Sequence, residues 1–138
     1  TAQDFFKNDR FATNAGVELI EIKEGYSKAR LVITAEHLNA GGRTQGGAIF
    51  TLADLALAAA ANSHGTLASL FRPISPSCAA ADRAMYCMPK HANATSAAPP
   101  DITRSNVTNQ EGKLIATFES SVFRKGITSL FPYHRRHR

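Results

Sequence analysis

Cysteine is scarce in this 138-residue chain, which carries only Cys78 and Cys87. The two residues do not form a Cys-x-x-Cys pair, so their spacing indicates neither a metal site nor a disulfide. We therefore expect no metal ion at these cysteines. Because unpaired cysteines are typical of reducing compartments, we also predict a cytoplasmic location.

Long hydrophobic runs are also missing. The most apolar stretch, residues 48–61, is shorter than the roughly 20 residues of a membrane-spanning helix, and it contains Asp54. The first ten residues, TAQDFFKNDR, mix charges and lack the apolar centre of a secretory signal. These features predict a protein without a membrane partner.

Excess charge is small outside the C-terminus. The formal net charge is +5, but the last five residues, HRRHR, include three arginines, and the rest of the chain carries about +2. We interpret residues 127–138 as a basic tail and predict no nucleic-acid partner, the alternative being that HRRHR contacts RNA. A modestly basic body still suits an anionic substrate such as a phosphorylated cofactor.

The patterns that are present indicate one α+β domain over residues 1–138. Apolar residues recur through 17–22 and alternate through 28–33, which predicts an antiparallel hairpin that turns at Gly25. A second hairpin is predicted over 106–126, with its turn at 109–112. A helix is predicted over 46–62, and a short helix over 3–12.

Residues 69–105 are atypical. The stretch 73–105 holds five of the six prolines and both cysteines, and its only large aliphatic residues are Ile74 and Ile102. No strand or helix periodicity is visible there, and the stretch offers little burial to offset its ordering entropy. We interpret it as the product of a shifted reading frame restored near Asn106, the alternative being a divergent surface loop. The tail is interpreted as a second such product.

Asp54 interrupts the apolar face of the predicted helix. A carboxylate buried there without partners costs several kcal/mol, and its pKa should rise, which is typical of functional sites. The structural alternative is that Asp54 caps a neighbouring loop or pairs with an arginine.

Gly46 and Gly47 stand at the start of the same helix. The first N–H groups of a helix have no internal partner, so these two could polarise a carbonyl and stabilise an oxyanion. The alternative is an ordinary tight turn. Asn39 could hold a water or a substrate carbonyl, or it could form an Asx-turn. We interpret His37 as a strand-end residue and His64 as part of the helix stop.

The stretch HLNAGGRTQGGAIFTLAD, residues 37–54, combines an Asn-x-x-Gly loop, a Gly-Gly pair and Phe-x-Leu-Ala-Asp. On these residues the chain resembles the hotdog-fold acyl-CoA thioesterases, in particular their phenylacetate-degradation branch. Gln45 stands where many relatives have histidine. The resemblance covers residues 5–68 and 106–126, and residues 69–105 depart from it. The matching residues are Asn39, Gly42, Gly46, Gly47, Phe50, Leu52, Ala53 and Asp54.

The resemblance implies a hotdog fold, in which an antiparallel sheet wraps around one long central helix. It implies hydrolysis of an acyl-CoA, with an acyl group that could be aromatic. We expect this reaction to need no metal or redox cofactor, because coenzyme A enters only as part of the substrate. Asp54 would be the general base or nucleophile, Gly46 N–H would polarise the carbonyl, and Asn39 would orient the carbonyl or the water. Further substrate contacts are expected at Gln45, Gly47, Arg43, Arg124 and Lys125.

The spacing of Gly46 and Asp54 predicts a site shared between two chains. Eight residues of helix separate them by about 12 Å, which is too far for one thioester carbon to lie beside both. Two antiparallel copies would bring Gly46 of one chain near Asp54 of the other, so we expect a homodimer or homotetramer, as the resemblance implies. The alternative function is a non-catalytic acyl-CoA-binding hotdog protein. A hotdog dehydratase is disfavoured because the helix carries no histidine.

Overall fold

The computed structural model describes residues 1–64, 66–78, 91–97 and 102–128, with side chains described for 1–64 and 102–122. Its helices are α1 (Ala2–Phe6), α2 (Arg10–Asn14) and α3 (Gly46–Asn62), and a single 3-10 turn covers Ala35–His37. Its strands are β1 (Val17–Lys23), β2 (Tyr26–Val32), β3 (Thr66–Cys78), β4 (His91–Ala97), β5 (Ile102–Asn109) and β6 (Leu114–Thr128).

The strands form a six-stranded sheet in the order β1-β2-β4-β5-β6-β3, and every neighbouring pair is antiparallel. Helix α3 contacts all six strands, so the sheet curves around it. Both predicted hairpins are confirmed, as β1-β2 and β5-β6. The turn of the second contains Gly112 at a φ of 77°, a left-handed conformation that glycine adopts without strain.

Alanine lets the sheet approach the central helix closely. Ala53, Ala56 and Ala60 are fully buried, and the hydroxyl of Ser27 on β2 donates to the carbonyl oxygen of Ala56 at 2.6 Å. A helix that is apolar on most of its faces is stable only when it is surrounded in this way. The predicted helix over 46–62 is therefore confirmed as the centre of the fold. Among the described residues, none of the helices has the length and apolarity needed to cross a membrane.

The N-terminal segment differs from the prediction of one helix over 3–12. Two five-residue helices occur there, and Asp9 separates them as the N-cap of α2. Its carboxylate accepts a hydrogen bond from the backbone N–H of Ala12 at 3.0 Å. Aspartate favours such caps over helix interiors, because its short side chain satisfies the unpaired N–H groups of the first turn.

The expectation that residues 69–105 lack regular strands is wrong where the structure describes them. Strand β3 covers Thr66–Cys78, and strand β4 covers His91–Ala97. Pro73 and Pro76 fit β3 because it lies at the edge of the sheet and pairs with β6 alone. In β4, Ala94 lies in register between Ala29 and Val107. The alternative of a surface loop is thus wrong for these strands.

Parts of the predicted atypical segment and tail cannot be compared in this way. Residues 79–90 and 98–101 lie outside the described residues, as do residues 129–138 of the predicted tail. Residues 127 and 128, which belong to the predicted tail, are the last residues of β6. The reading-frame interpretation of residues 69–105 stays a prediction.

That interpretation predicts a loss of stability. A chain with frame-corrected residues 69–105 should unfold at a higher urea concentration than this chain, because larger side chains in β3 and β4 would bury more apolar surface, worth about 25 cal/mol per Å². Urea denaturation of both chains under identical conditions measures the difference. Equal midpoints with equal slopes would contradict the interpretation, since the slope reports the surface exposed on unfolding.

Candidate active site

Asp54 lies in the third turn of α3, on the least buried side of the helix. Thr51, Asp54 and Ala58 are partly exposed, whereas the other positions from 52 to 60 are buried, and the three recur at the spacing of one helix face. The Asp54 carboxylate is half-buried and has no hydrogen bond or ion pair with any residue that the structure describes. Among the described residues, Asp54 therefore neither caps a neighbouring loop nor pairs with an arginine.

The surroundings of Asp54 disfavour the charged form of its carboxyl. Burial raises the pKa of Asp54 above its usual range, and the negative charge of Asp9 raises it further. Asp9 reaches this position because α2, which it caps, packs against α3. A carboxylate whose pKa is raised is a stronger base, and it is suited to take up a proton from a reacting group.

At the N-terminus of α3, only one of the two predicted N–H donors, Gly46 and Gly47, is available to a ligand. Gln45 is the N-cap, and its side-chain oxygen accepts a hydrogen bond from the N–H of Gly47. The N–H of Gly46, by contrast, has no partner among the described residues. A Cβ added at Gly46 would meet no atom within 4 Å, so a ligand can approach this donor closely. Gly46 is therefore the available donor, and Gln45 has a capping role.

Asn39 lies in the loop before α3. Its side-chain oxygen forms an Asx-turn, as the structural alternative predicted. That oxygen accepts hydrogen bonds from the N–H groups of Gly41 at 2.9 Å and Arg43 at 3.2 Å. Its side-chain NH₂ group has no partner in the part of the chain that the structure describes. The loop thus fixes the orientation of the amide and leaves two donors of Asn39 for a ligand.

His37 anchors the loop and is not an available base. Its Nδ1 accepts a hydrogen bond from the backbone N–H of Thr34 at 3.0 Å, and its Nε2 donates to the carbonyl oxygen of Ala15 at 2.6 Å. Its own carbonyl oxygen accepts from the N–H of Gln45 at 2.7 Å. His37 lies in the 3-10 turn rather than at a strand end, and it joins the loop to the end of α2.

The remaining predicted residues lie on the loop before α3, on β6 and after the end of α3. Arg43 is exposed on the loop. The backbone of Arg124 and Lys125 belongs to β6, but their side chains lie outside the described residues. His64 follows the helix, with its Nδ1 4.0 Å from a carboxylate oxygen of Glu24. No group of three or more His, Cys, Asp or Glu side chains that could hold a metal ion occurs within the described ranges.

The predicted residues thus form two separate groups in one chain. Gly46 and Asn39 lie near the N-terminus of α3, whereas Asp54 lies eight residues further along the same unbroken helix. Asp9 was missed by sequence reasoning. Its position before a short helix could have indicated a cap, but no sequence pattern indicates its approach to Asp54.

Two relatives of known sequence match part of the chain. The acyl-coenzyme A thioesterase PaaI of Escherichia coli K12 is 37% identical over 67 residues, which are 49% of this chain and 48% of that protein. A provisionally named esterase of Archaeoglobus fulgidus is 51% identical over 63 residues, which are 46% of this chain and 41% of that protein. The chain thus spans less than half the length of each of these relatives. No family model matches the chain.

Solved structures match over most of the chain. The E. coli PaaI protein from the phenylacetic acid degradation operon superposes with a TM-score of 0.77 at 26% identity, covering 93% of both chains. A hypothetical thioesterase protein of Streptococcus pneumoniae, solved with coenzyme A, superposes with a TM-score of 0.74 at 20% identity, covering 90% of this chain and 99% of that one. The predicted hotdog fold is therefore confirmed, and so is the resemblance to its thioesterases.

Proposed function

From the hotdog fold that this chain shares with the PaaI thioesterase, we propose that it hydrolyses acyl-CoA thioesters to a carboxylic acid and coenzyme A. The observation that carries the proposal is Asp54, a half-buried carboxylate with a raised pKa and no partner among the described residues. Burial disfavours the charged form of such a group and so costs folding free energy, and groups of this kind cluster at functional sites.

The chemistry follows from the groups on α3 and its loop. Asp54 takes a proton from water while the water oxygen attacks the thioester carbon, the carbon–sulfur bond breaks, and the proton passes to the departing thiolate. Alternatively, the Asp54 carboxylate attacks the carbon itself, and the carbon–sulfur bond breaks to give a mixed anhydride and the thiolate. Water then hydrolyses the anhydride, which releases the acid and restores Asp54, and a proton of that water passes to the thiolate. The N–H of Gly46 donates to the carbonyl oxygen, which becomes negatively charged in either course. The NH₂ group of Asn39 orients the carbonyl or the water.

The site would be completed by a second copy of the chain. On one helix the Gly46 donor and the Asp54 carboxylate are about 12 Å apart at 1.5 Å per residue, so one substrate carbon does not reach both. An antiparallel pair of α3 helices brings the donor of one chain to the carboxylate of the other. We propose a homodimer or homotetramer that functions in the cytoplasm.

Release of free thiol tests the function. Phenylacetyl-CoA and octanoyl-CoA are incubated with the protein, and free coenzyme A is followed with Ellman's reagent. We expect steady thiol release well above the rate without protein. Binding of coenzyme A without thiol release would select the alternative, a non-catalytic acyl-CoA-binding protein. That alternative depended on missing central strands, whereas β3 and β4 are formed.

Asp9→Asn is expected to move the acidic limb of the pH–rate profile to lower pH. The charge of Asp9 raises the pKa of Asp54, so its removal lowers that pKa and keeps Asp54 ionised in more acidic solution. Asparagine caps helices about as well as aspartate, so α2 should persist. The measurement is kcat/KM for octanoyl-CoA across pH 4–8, with Asp4→Asn as the control for an exposed carboxylate. Identical limbs in wild type and Asp9→Asn would contradict the coupling.

A further inference from the structure

Thr51 lies on the same partly exposed face of α3 as Asp54, one turn nearer to the N-terminus of the helix. Its hydroxyl donates a hydrogen bond to the carbonyl oxygen of Gly47 at 2.8 Å. This bond to the carbonyl four residues earlier fixes the side-chain rotamer of the threonine. The only proton of the hydroxyl is thereby used, and its oxygen is left as an acceptor.

Thr51 and Asp54 are neighbours on the surface of the helix. Residues three positions apart have Cβ atoms about 5–6 Å apart, and helical side chains generally lean toward the N-terminus, which for Asp54 is the turn that holds Thr51. The two side chains nevertheless make no direct hydrogen bond, and neither accepts one from any residue that the structure describes. Two hydrogen-bond acceptors that share no donor therefore lie side by side on α3.

A water molecule suits a pair of acceptors at this spacing. Each hydrogen bond that a water donates to an oxygen spans about 2.7–2.8 Å, so one water joins two oxygens that are roughly 4.5–5.5 Å apart. Side chains three positions apart on a helix come within that range. Water has two protons to donate, and both an ionised carboxylate and a hydroxyl whose own proton is bound elsewhere can accept them.

The donors of the candidate site suit the other reactant. A water that attacks a carbonyl carbon uses a lone pair, so the groups that orient it must hold its protons. Acceptors do this, whereas a donor competes for the lone pairs of the water. The N–H of Gly46 and the NH₂ group of Asn39 are donors, and they suit the carbonyl oxygen on which negative charge develops.

We infer that Thr51 positions the attacking water, with its Oγ1 accepting one proton of that water while Asp54 accepts the other. This inference rests on the proposed thioesterase function, and it selects the course in which water attacks the thioester directly. The proton held by Asp54 leaves the water oxygen as the new carbon–oxygen bond forms, the carbon–sulfur bond breaks, and Asp54 passes the proton to the thiolate. The proton held by Thr51 stays on the oxygen and becomes that of the carboxylic acid.

Substitutions of Thr51 test the inference with a matched pair. Thr51→Val keeps the shape of the side chain and removes the oxygen, whereas Thr51→Ser keeps the oxygen and its bond to Gly47. We expect Thr51→Val to lower kcat for octanoyl-CoA by about 10–100-fold and to change KM by less than about twofold, because misplacement of the attacking group costs rate rather than binding. Thr51→Ser should retain most of the wild-type kcat. Equal losses in both variants would overturn the inference, and so would a wild-type rate in Thr51→Val.

Two further variants distinguish a loss of folding from a loss of the water. Thr51→Ala also lacks the oxygen, and alanine is the residue that most favours a helix, so this variant should show the same loss of kcat in a folded chain. Thr13→Val removes an exposed hydroxyl of α2 that donates to the carbonyl oxygen of Lys7 at 3.2 Å, and it should leave kcat unchanged. A wild-type kcat in Thr51→Ala would contradict the inference even where Thr51→Val does not fold.

A structural measurement separates this inference from the proposed function. High-resolution crystal structures of wild type and Thr51→Val locate ordered waters without any turnover. In wild type we expect one water within hydrogen-bonding distance of both Thr51 Oγ1 and an Asp54 carboxylate oxygen, and in Thr51→Val we expect this water to be lost. A wild type that holds the water but releases no thiol would overturn only the thioesterase function. A wild type without the water would overturn the inference, whatever its activity.

Discussion

Asp54→Asn is expected to lower the rate of acyl-CoA hydrolysis by roughly 10²–10⁴-fold, the contribution usual for a positioned general base. The amide occupies nearly the same volume as the carboxylate, but it neither accepts the proton of water nor attacks a carbonyl. Thiol release from phenylacetyl-CoA and octanoyl-CoA measures the loss at a pH where wild-type Asp54 is ionised. Rates close to wild type would show that Asp54 does not carry the reaction.

The stability of the same variant serves as the control. Because the pKa of Asp54 is higher in the folded chain than the usual value of an aspartate, its ionisation opposes folding. This cost is absent below the pKa of the unfolded chain and fully present above that of the folded one. We therefore expect Asp54→Asn to unfold at a higher urea concentration than wild type at pH 7, and at nearly the same concentration at pH 3. A lower midpoint at pH 7 would indicate a structural role.

Much of the fold could be predicted because its elements carry strong local patterns. Leu31 and Ala29 alternate with charged residues, and both are fully buried on β2. The apolar run that begins at Gly46 is long enough to require a buried helix, and its predicted bounds are those of α3. These signals are local, so they need no knowledge of which strands pair.

Strands β3 and β4 could not be predicted, because tertiary context determines them. The sequence HANATSA of β4 has no large apolar residue, so its intrinsic strand propensity is low. Pairing with β2 on one side and β5 on the other stabilises it as a strand. The prolines of β3 argue against a central strand, and only the strand order shows that β3 is at an edge.

The candidate site was predictable in residue type but not in detail. Asp54 could be predicted as a site residue because a single carboxylate in an apolar helix costs free energy on burial. The hydrogen bond from Gly47 to Gln45, which leaves Gly46 as the available donor, depends on a side-chain rotamer that no spacing reveals. The effect of the Asp9 charge on Asp54 depends on how α2 packs against α3, although the two aspartates are 45 positions apart in the sequence.

Gly46→Pro is expected to abolish most hydrolysis. Activity should nevertheless return when Gly46→Pro chains are mixed with Asp54→Asn chains. Proline removes the N–H of Gly46, and it suits the first position of a helix. The preceding residue, Gln45, has φ −67° and ψ 135°, which is the extended conformation that a residue before proline adopts. Gly46→Ala retains the N–H and therefore separates loss of the donor from added bulk.

Mixing the two inactive variants tests whether the site is shared between chains. In a mixed dimer, the intact Gly46 of the Asp54→Asn chain faces the intact Asp54 of the Gly46→Pro chain, so one of two sites is complete. Equal mixing should therefore restore about a quarter of wild-type activity, since about half of the dimers of a two-fold symmetric protein are then mixed. The variants are unfolded and refolded together, and native mass spectrometry counts the mixed dimers. Mixed dimers without activity would place the donor and the carboxylate in one chain, in conflict with their separation along α3.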